Sequence, residues 1–409
     1  MGPIPADFAD RGPMLRIGGR DVDALVAEAG DTPLFVYDAA IVARRIARFR
    51  GAMPDQIQLH YAMKANPYAP LLTYIIGKVD GIDVASGGEL RQALDAGARA
   101  EDMSFAGPGK RDADLAAAIA AGATINCESE GEAERALAAG DRLGRPPRLA
   151  VRVNPDFEIR GSGMRMGGGA KPFGVDAERV PALVASILAG GGEWRGFHIF
   201  VGSQALDAEA LIEAQRLTVT LAGTMADVIG ESPPLVNLGG GFGIPYFGGE
   251  QPLDVARIGE SLAQALESRA DILRDSRFAI ELGRWLVGEC GVYLTRIVDR
   301  KLSHGKLFLV TDGGMHHQLA ASGNFGQVVR RNYPVAIATR WNQPVAEEAS
   351  IVGCLCTPLD RLADDVMVAK AQVGDLVAIF LAGAYGLSAS PQAFLGQQAA
   401  REMIVGADD

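Results

Sequence analysis

The sequence is poor in features that mark secreted or membrane proteins. Its four cysteines, Cys127, Cys290, Cys354 and Cys356, are too few and too scattered for a disulfide framework. The last two lack the second pair that a zinc site needs. The longest apolar run, residues 376–385, is shorter than a membrane-spanning helix. Because no basic segment followed by an apolar core opens the chain, we expect a cytoplasmic protein.

Blocks of like charge are missing as well. The net charge of −11 is spread over 409 residues, which makes nucleic acid and anionic membrane surfaces poor partners. With 48% hydrophobic residues, the chain is long and apolar enough for two domains, each with its own core. We therefore expect an enzyme that acts on small molecules or on proteins.

Short apolar runs that end in polar residues or glycine alternate with Ala- and Leu-rich helical stretches. The predicted strands cover residues 57–64, 81–86, 103–108, 124–129, 147–154, 196–203, 234–241 and 277–284. Eight strand–helix units in about 250 residues predict an α/β fold of the (β/α)8 TIM-barrel type. An open doubly wound sheet would need fewer strands.

The sequence pattern changes after Arg284: strand-like runs follow one another without long helices between them. This pattern predicts a C-terminal all-β barrel or sandwich domain. Two short strand candidates, near residues 15–17 and 34–37, lie at the other end of the chain. Because chain termini often lie close together, we expect residues 1–35 and 285–409 to form the β domain and residues 36–284 the barrel.

Polar residues at the carboxyl ends of barrel strands face the active site of a TIM barrel. Here these ends carry Lys64, Ser86, Asn154, Ser203, Gly239, Gly240, Gly241 and Arg284. Three glycines alone indicate a tight turn more often than an anion site. A glycine run after strand seven with Arg284 after strand eight is typical of a phosphate site in a barrel.

Lys64 ends the first predicted strand, with apolar neighbours on one side, so we expect it to be half buried. A lone lysine is usually a surface residue whose stem packs on apolar atoms. A desolvated lysine amine is instead suited to a Schiff base with a carbonyl cofactor. An aldehyde bound at Lys64 and a phosphate bound across the mouth describe pyridoxal 5′-phosphate (PLP).

Eight motifs follow one another in a specific order and spacing. They are HYAMKANP (60–67), DVASGGEL (83–90), VRVNP (151–155), GSQ (202–204), LGGGFGIPY (238–246), ELGR (281–284), CTPLD (356–360) and GAYG (383–386). Over nearly its whole length, the chain thereby resembles the fold-type III PLP decarboxylases. These are the diaminopimelate, ornithine and arginine decarboxylases, which share an alanine-racemase-like barrel.

The resemblance implies three catalytic residues. Lys64 would form the Schiff base with PLP, Glu281 would keep the pyridine nitrogen protonated, and Cys356 would protonate the substrate carbon after loss of CO2. The implied cofactor contacts are Lys64, Asp83, Ser86, Glu89, Arg152, Phe200, Ser203, Gly239, Gly240, Gly241, Glu281, Gly283, Arg284 and Tyr385. In the family the cysteine of the β domain reaches the barrel of a second subunit. A homodimer with shared active sites follows.

The chain also departs from the family pattern. Phe200 stands where the family stacks a histidine on the ring, so His198 is expected to be a core residue. The implied substrate contacts are Arg284, Ala320, Asn324, Thr357, Asp360 and Tyr385. Of these, Ala320, Asn324 and Thr357 replace an Arg, a Tyr and a Glu that hold the distal end of diaminopimelate. Losing one buried charged partner costs about 2–5 kcal/mol, which argues against free diaminopimelate as the substrate.

The TPLD (357–360) and GNFG (323–326) segments resemble a side branch of the family, the glutamyl-carrier-protein and exosortase-associated decarboxylases. In that branch the amino acid would arrive on a carrier protein. The basic segments Arg300-Lys301, Lys306 and Arg330-Arg331 are candidates for contact with an acidic carrier. Four alternatives remain open at this point: a diaminopimelate decarboxylase, an ornithine-, lysine- or arginine-type decarboxylase, an amino-acid racemase, and an inactive partner-binding homologue.

Overall fold

The computed structural model describes residues 1–10, 12–158, 164–165, 167–325, 327 and 330–407. The chain divides into two units. The first, here the β unit, comprises Met1–Arg45, Ile244–Gln251 and Arg284–Asp409, and the second, the barrel unit, comprises Ile46–Gly243 and Pro252–Gly283. None of the helices in the described part of the chain has the length and apolar character needed to cross a membrane.

Eight parallel strands form a closed ring in the barrel unit. They are β1 (Ile57–Ala62), β2 (Gly81–Val84), β3 (Met103–Phe105), β4 (Thr124–Cys127), β5 (Arg148–Asn154), β6 (Glu193–Ile199), β7 (Leu235–Asn237) and β8 (Arg277–Leu282). Each strand pairs with the next, and β8 pairs with β1 through Glu281 and His60. This closed parallel ring is the predicted TIM barrel.

A helix follows each barrel strand. In order along the chain these helices are Ala69–Ile76, Gly87–Asp95, Asp112–Ala121, Glu130–Leu143, Val180–Ala189, Ala208–Ile229, Val255–Glu267 and Arg284–Val287, with Ala39–Ala52 preceding β1. Local sequence sets their ends. Ser129, for example, accepts a hydrogen bond from the Glu132 amide at the start of Glu130–Leu143. Gly144, with φ +63°, ends the same helix.

All of the barrel strands except β5 end earlier than the sequence predicts. β1 stops at Ala62, β2 at Val84, β6 at Ile199 and β7 at Asn237. The polar and glycine residues that follow them therefore lie in loops at the carboxyl mouth of the barrel, which is where a TIM barrel builds its active site.

The β unit is built on an eight-stranded mixed sheet. Its strands are Leu34–Asp38, Gly291–Ser303, Lys306–Thr311, Val335–Ile337, Val345–Val352, Arg361–Ala369, Leu376–Ile379 and Arg401–Val405. A short hairpin, Arg16–Ile17 with Arg20–Asp21, and the helix Val22–Ala29 precede the sheet in the chain. The predicted second domain rich in β structure is therefore present.

The β unit differs from the sequence prediction in its strands and in its bounds. Its strands Arg361–Ala369 and Arg401–Val405 are not predicted. The unit also includes residues 36–45, residues 244–251 and Arg284, which are predicted to belong to the barrel. The first of these segments belongs there because Leu34–Asp38 pairs with Gly291–Ser303 on one side and with the C-terminal strand on the other.

Candidate active site

Lys64 lies just past β1, in the 3-10 helix Met63–Ala65 at the carboxyl mouth of the barrel. Its Nζ is 5.6 Å from the centre of the Phe200 ring, which follows β6 and is buried. Lys64 is exposed, whereas the sequence predicts a half-buried lysine. A cation facing an aromatic ring at this distance is weakly attracted to it.

Glu281 is the buried carboxylate at the end of β8. Its Oε2 atom is 2.9 Å from the Nε2 of His198 on β6 and accepts a hydrogen bond from the Nδ2 of Asn237 on β7 at 3.2 Å. Burial acts to raise the pKa of Glu281, but His198, with Lys64 and Arg152, outweighs it and lowers that pKa to about 2. Glu281 is therefore an ionised carboxylate at neutral pH.

Asp83 and His60 form a second buried acid–base pair in the barrel interior. Asp83 Oδ1 is 3.7 Å from His60 Nδ1, and neither oxygen of Asp83 has a hydrogen-bond partner among the described residues. Burial raises the pKa of Asp83, and the charge of Glu281 acts in the same direction. Burial acts to lower the pKa of His60, but Asp83 outweighs it, so that the pKa is raised.

The glycine run after β7 is held in a fixed conformation. Gly239 (φ +68°) and Gly241 (φ +85°) adopt backbone conformations that side chains disfavour, and a Cβ on Gly240 would collide with the carbonyl oxygen of Glu281. The Gly239 amide donates to Asn237 Oδ1 at 2.8 Å. In the described part of the chain, the amides of Gly240 and Gly241 donate to no acceptor, and both remain available to an anion.

Arg152 on β5 is fixed by a buried carboxylate. Its Nη1 donates to Glu128 Oε1 at 2.9 Å, and its guanidinium lies 5.0 Å from the centre of the Phe173 ring. Glu128, which directly follows β4, also accepts from the amides of Gly107 at 2.5 Å and Gly174 at 3.2 Å. One carboxylate thus joins loops that follow β3 and β5 to the guanidinium.

Ser86, Glu89 and Ser203 take part in local backbone structure. Ser86 Oγ accepts from the Glu89 amide at 3.1 Å, and Glu89 Oε2 accepts from the Ala85 amide at 2.6 Å, which together cap the helix after β2. Ser203 lies in the short strand Gly202–Ser203 after β6. The structure brings none of these three polar groups into a hydrogen bond with Lys64 or Glu281.

In the β unit, Arg284 is surrounded by tyrosines. Its Nη1 donates to the Tyr246 hydroxyl at 3.0 Å, and its guanidinium lies 4.6 Å from the centre of the Tyr385 ring. The Nε of Arg284 is buried without a hydrogen-bond acceptor among the described residues. Tyr385 has a φ of +53°, an uncommon conformation for a bulky residue that can mark a functional position.

Cys356 is exposed in the turn between two strands of the β unit, whereas Cys354 is half buried. The predicted contact between Asp360 and the substrate stays a prediction. Asp360 is 3% exposed, and its two oxygens accept from the amides of Met315 at 2.6 Å and Leu355 at 2.8 Å. Because both oxygens serve the backbone, this carboxylate braces the turn that carries Cys356.

The three substituted positions of the predicted substrate pocket all carry neutral side chains. Ala320 is buried, and Asn324 is exposed, with its Nδ2 donating to Ser322 Oγ at 2.8 Å and to the Leu359 carbonyl at 3.3 Å. Thr357 is partly exposed. Gly326, the last residue of the GNFG segment, lies outside the described residues.

A family model for the pyridoxal binding domain of pyridoxal-dependent decarboxylases matches residues 39–288. This range covers more than half of the chain and contains Lys64, Glu281, Arg284 and the glycine run. The chain belongs to the pyridoxal-dependent decarboxylase family.

Two relatives of known activity are similar to almost the whole of this decarboxylase, and not to its barrel alone. The L-glutamyl-[BtrI acyl-carrier protein] decarboxylase of Niallia circulans is 34% identical over 380 residues, 91% of this chain and 89% of that protein. The diaminopimelate decarboxylase of Archaeoglobus fulgidus is 30% identical over 407 residues, 98% of this chain and 94% of its own. A crystal structure of M. jannaschii diaminopimelate decarboxylase with L-lysine has the same fold, with a TM-score of 0.86 at 24% identity, covering 99% and 92% of the two chains.

These comparisons confirm the predicted class: the protein is a PLP-dependent carboxy-lyase with an alanine-racemase-like barrel. The residues present in the barrel unit fit the cofactor. They supply an amine at Lys64, an ionised carboxylate at Glu281 and two backbone amides, of Gly240 and Gly241, without a partner in the described part of the chain. These groups match the aldehyde, the ring nitrogen and the phosphate of PLP in chemical character.

Sequence reasoning missed four buried polar residues that the structure joins to the candidate site. They are His60, Glu128, Asn237 and, as a partner of Glu281, His198. Their signal in the sequence is a polar side chain within or just after a barrel strand, where an apolar side chain is the usual choice. That signal indicates a buried polar group without identifying its partner.

Proposed function

We propose that this decarboxylase acts on an amino acid held as a thioester on a carrier protein, and not on free diaminopimelate. The observation that carries the proposal is the neutral set Ala320, Asn324 and Thr357 at the positions that would hold the charged distal end of diaminopimelate. The 34% identical relative, whose substrate is a glutamyl group on an acyl-carrier protein, supports it. A thioester end is uncharged and needs no ion-pair partner.

The chemistry of decarboxylation restricts how such a substrate is attached. The carboxyl group that leaves as CO2 must be free, so the thioester must involve another carboxyl group of the amino acid. An amino dicarboxylic acid linked through its side-chain carboxyl satisfies this condition. The substrate class is therefore a side-chain thioester of an acidic amino acid.

Bound PLP supplies an aldehyde for the substrate amine and a conjugated ring that accepts the electron pair left by CO2. Lys64 would hold the aldehyde end, and its exposure at the barrel mouth leaves its amine accessible. Glu281 would keep a proton on the ring nitrogen because it is itself ionised at neutral pH. Arg152, held by Glu128, would donate to the ring hydroxyl.

The phosphate end would be bound by the free amides of the glycine run, together with Ser203, Arg284 and Tyr385. Arg284 retains a buried Nε without an acceptor among the described residues, which suits it to an anion. Phe200 would cover the face of the ring through stacking alone, because a phenyl ring has no titratable proton and no hydrogen-bond donor. Asp83 would lie beside the cofactor as a buried carboxylate.

Cys356 would protonate the substrate carbon after CO2 has left, since it is the more exposed of the two thiols in this turn. We propose that it acts in the barrel of a second subunit, which makes the active enzyme a homodimer with shared active sites. A cytoplasmic location also stays a prediction.

The predicted basic segments do not support contact with an acidic carrier. Arg300 pairs with Glu347 at 2.6 Å, Lys306 with Asp364 at 2.9 Å, and Arg331 with Glu250 at 3.3 Å. Because these cations already pair with carboxylates of the same chain, they add no support, and the proposal rests on the neutral substrate positions and on the 34% identical relative.

A substrate comparison tests the proposal. Release of CO2 is measured for meso-diaminopimelate, L-ornithine, L-lysine, L-arginine and L-glutamate, and for side-chain glutamyl thioesters of an acyl-carrier protein and of coenzyme A. We expect kcat/KM for the carrier thioester to exceed that for diaminopimelate by at least about 100-fold, the size expected from losing charged contacts. Lys64→Ala serves as the inactive control. Equal or faster turnover of any free amino acid would contradict the proposal.

A variant tests the same positions in the opposite direction. Ala320→Arg, Asn324→Tyr and Thr357→Glu together restore the side chains that resemble those of diaminopimelate decarboxylases. We expect this triple variant to gain turnover of meso-diaminopimelate and to lose turnover of the carrier thioester. If the triple variant keeps the wild-type preference between the two substrates, these positions do not determine substrate specificity.

A further inference from the structure

Two buried polar side chains on neighbouring barrel strands, those of His198 and Asn237, converge on one carboxylate oxygen of Glu281. The strand register pairs His198 on β6 with Asn237 on β7, and Asn237 with Ala279 on β8. Glu281 lies two residues beyond Ala279 and therefore points to the same side of the sheet. Both His198 Nε2 and Asn237 Nδ2 meet the Oε2 atom of Glu281.

The hydrogen-bonding roles of these groups are determined by their partners. The Gly239 amide can only donate, so the atom of Asn237 that it meets is the oxygen, and the Asn237 nitrogen is left to donate to Glu281. An ionised carboxylate only accepts, so the proton in the contact between His198 and Glu281 belongs to Nε2 of the histidine. Neither His198 Nε2 nor Asn237 Nδ2 donates a hydrogen bond to the other oxygen of Glu281, Oε1.

We propose that His198 and Asn237 are positioning residues for Glu281. They hold its Oε2 atom, keep the carboxylate ionised and leave Oε1 for the ring nitrogen of the cofactor. Asn237 also links this carboxylate to the glycine run through Gly239, so that one side chain aligns the residues for the ring nitrogen with those for the phosphate. This inference rests on the proposed role of Glu281 in binding PLP.

Electrostatics require such donors. An isolated buried carboxylate takes up a proton, because burial penalises its charged form. A protonated Glu281 would offer no negative charge to a pyridinium nitrogen. Donation from His198 and Asn237, together with the charges of Lys64 and Arg152, therefore favours the ionised carboxylate that would keep the ring a strong acceptor of electrons.

Cofactor titration tests the inference. Variants Asn237→Asp, His198→Phe and His198→Gln are compared with wild type by the Kd for PLP, by the absorbance spectrum of the bound cofactor from pH 6 to pH 9, and by thermal unfolding without cofactor. Asn237→Asp keeps the acceptor for the Gly239 amide but replaces the donor by a second carboxylate. Asn126→Ala is the matched control, because Asn126 is equally buried in the barrel but bonds Ser104 instead.

We expect Asn237→Asp and His198→Phe to weaken PLP binding by about 10- to 100-fold and to change the pH dependence of the spectrum. His198→Gln, which keeps a side-chain donor, should recover most of the affinity. Asn126→Ala should lower the unfolding temperature without changing Kd or spectrum. If the variants destabilise the cofactor-free protein but leave the Kd and the spectrum as in wild type, His198 and Asn237 are merely structural and the inference fails.

The variant Glu281→Gln separates this outcome from failure of the proposed role of Glu281. If Glu281→Gln binds PLP with the affinity and spectrum of wild type, the role of Glu281 itself is wrong. If Glu281→Gln changes both while Asn237→Asp and His198→Phe change neither, only the positioning inference is overturned.

Discussion

The Arg152 guanidinium donates to the Glu128 carboxylate at 2.9 Å, and both side chains are almost completely buried. Removing one partner of a buried ion pair leaves the other charge without compensation. Glu128→Ala would also leave the amides of Gly107 and Gly174 without their acceptor. We expect this variant to lose about 3–5 kcal/mol in the free energy of unfolding, measured by urea denaturation.

An exposed ion pair provides the control. Arg274 and Asp271 pair on the surface of the barrel unit, and Arg274→Ala should change the free energy of unfolding by less than about 1 kcal/mol. If Glu128→Ala lowers the free energy of unfolding no more than Arg274→Ala does, the buried pair does not stabilise the fold.

A mixing experiment addresses the shared active site. Lys64→Ala and Cys356→Ala should each be nearly inactive as pure proteins, since each removes one proposed reacting group from every site. If the two residues of one site come from different subunits, random mixing restores intact sites to about a quarter of the total. We therefore expect CO2 release by the mixture to reach about a quarter of the wild-type rate after subunit exchange. A mixture as inactive as its components would mean that both residues act within one subunit or that subunits do not associate.

The barrel is predictable from the sequence because its strands are short apolar runs followed by a glycine or a polar residue, with a helical segment after each. The strand Arg361–Ala369 is not predictable in this way. Asp364 and Asp365 interrupt its apolar pattern, and at Asp365 the backbone adopts a φ of +47°. The pairing of this strand with Val345–Val352 contains register shifts at the irregular positions. Such irregular pairing depends on the neighbouring strand and not on the local sequence alone.

The candidate site likewise contains residues that are predictable from local sequence and residues that are not. Lys64, Glu281 and Arg284 are predictable because they lie at strand ends, within motifs of fixed order. The partners of those residues are not, because they depend on the register between strands that are distant in the sequence. His198 is an example: its sequence context indicates only a buried residue, and it meets Glu281, 83 residues away, through the barrel register.

Asp360 offers a test of whether a buried carboxylate braces a turn or binds substrate. Asp360→Ala removes the acceptor of the Met315 and Leu355 amides, so we expect a loss of at least about 2 kcal/mol in the free energy of unfolding. The exposed Asp299→Ala is the control and should change stability little. A raised KM with unchanged stability would instead support the predicted substrate contact.

The burial of His316 leads us to expect that the stability of the protein depends on pH. His316 is fully buried beside His317, with ring centres 3.7 Å apart, and its two nitrogens have no hydrogen-bond partner among the described residues. Burial, with the neighbouring His317, lowers the pKa of His316 to about 4, whereas an unfolded histidine takes up its proton near pH 6.5. Between these values the unfolded state binds more protons than the folded state, so stability falls as the pH falls.

From pH 7 to pH 5 this difference amounts to about 2 kcal/mol. His316→Phe removes the titrating group at similar size, so its advantage over wild type in the free energy of unfolding should grow by about this amount over the same interval. Urea denaturation at the two pH values measures the change. His304→Asn is the matched control, because His304 is exposed and asparagine tolerates its φ of +50°. An equal pH dependence in wild type and His316→Phe would show that His316 does not resist protonation.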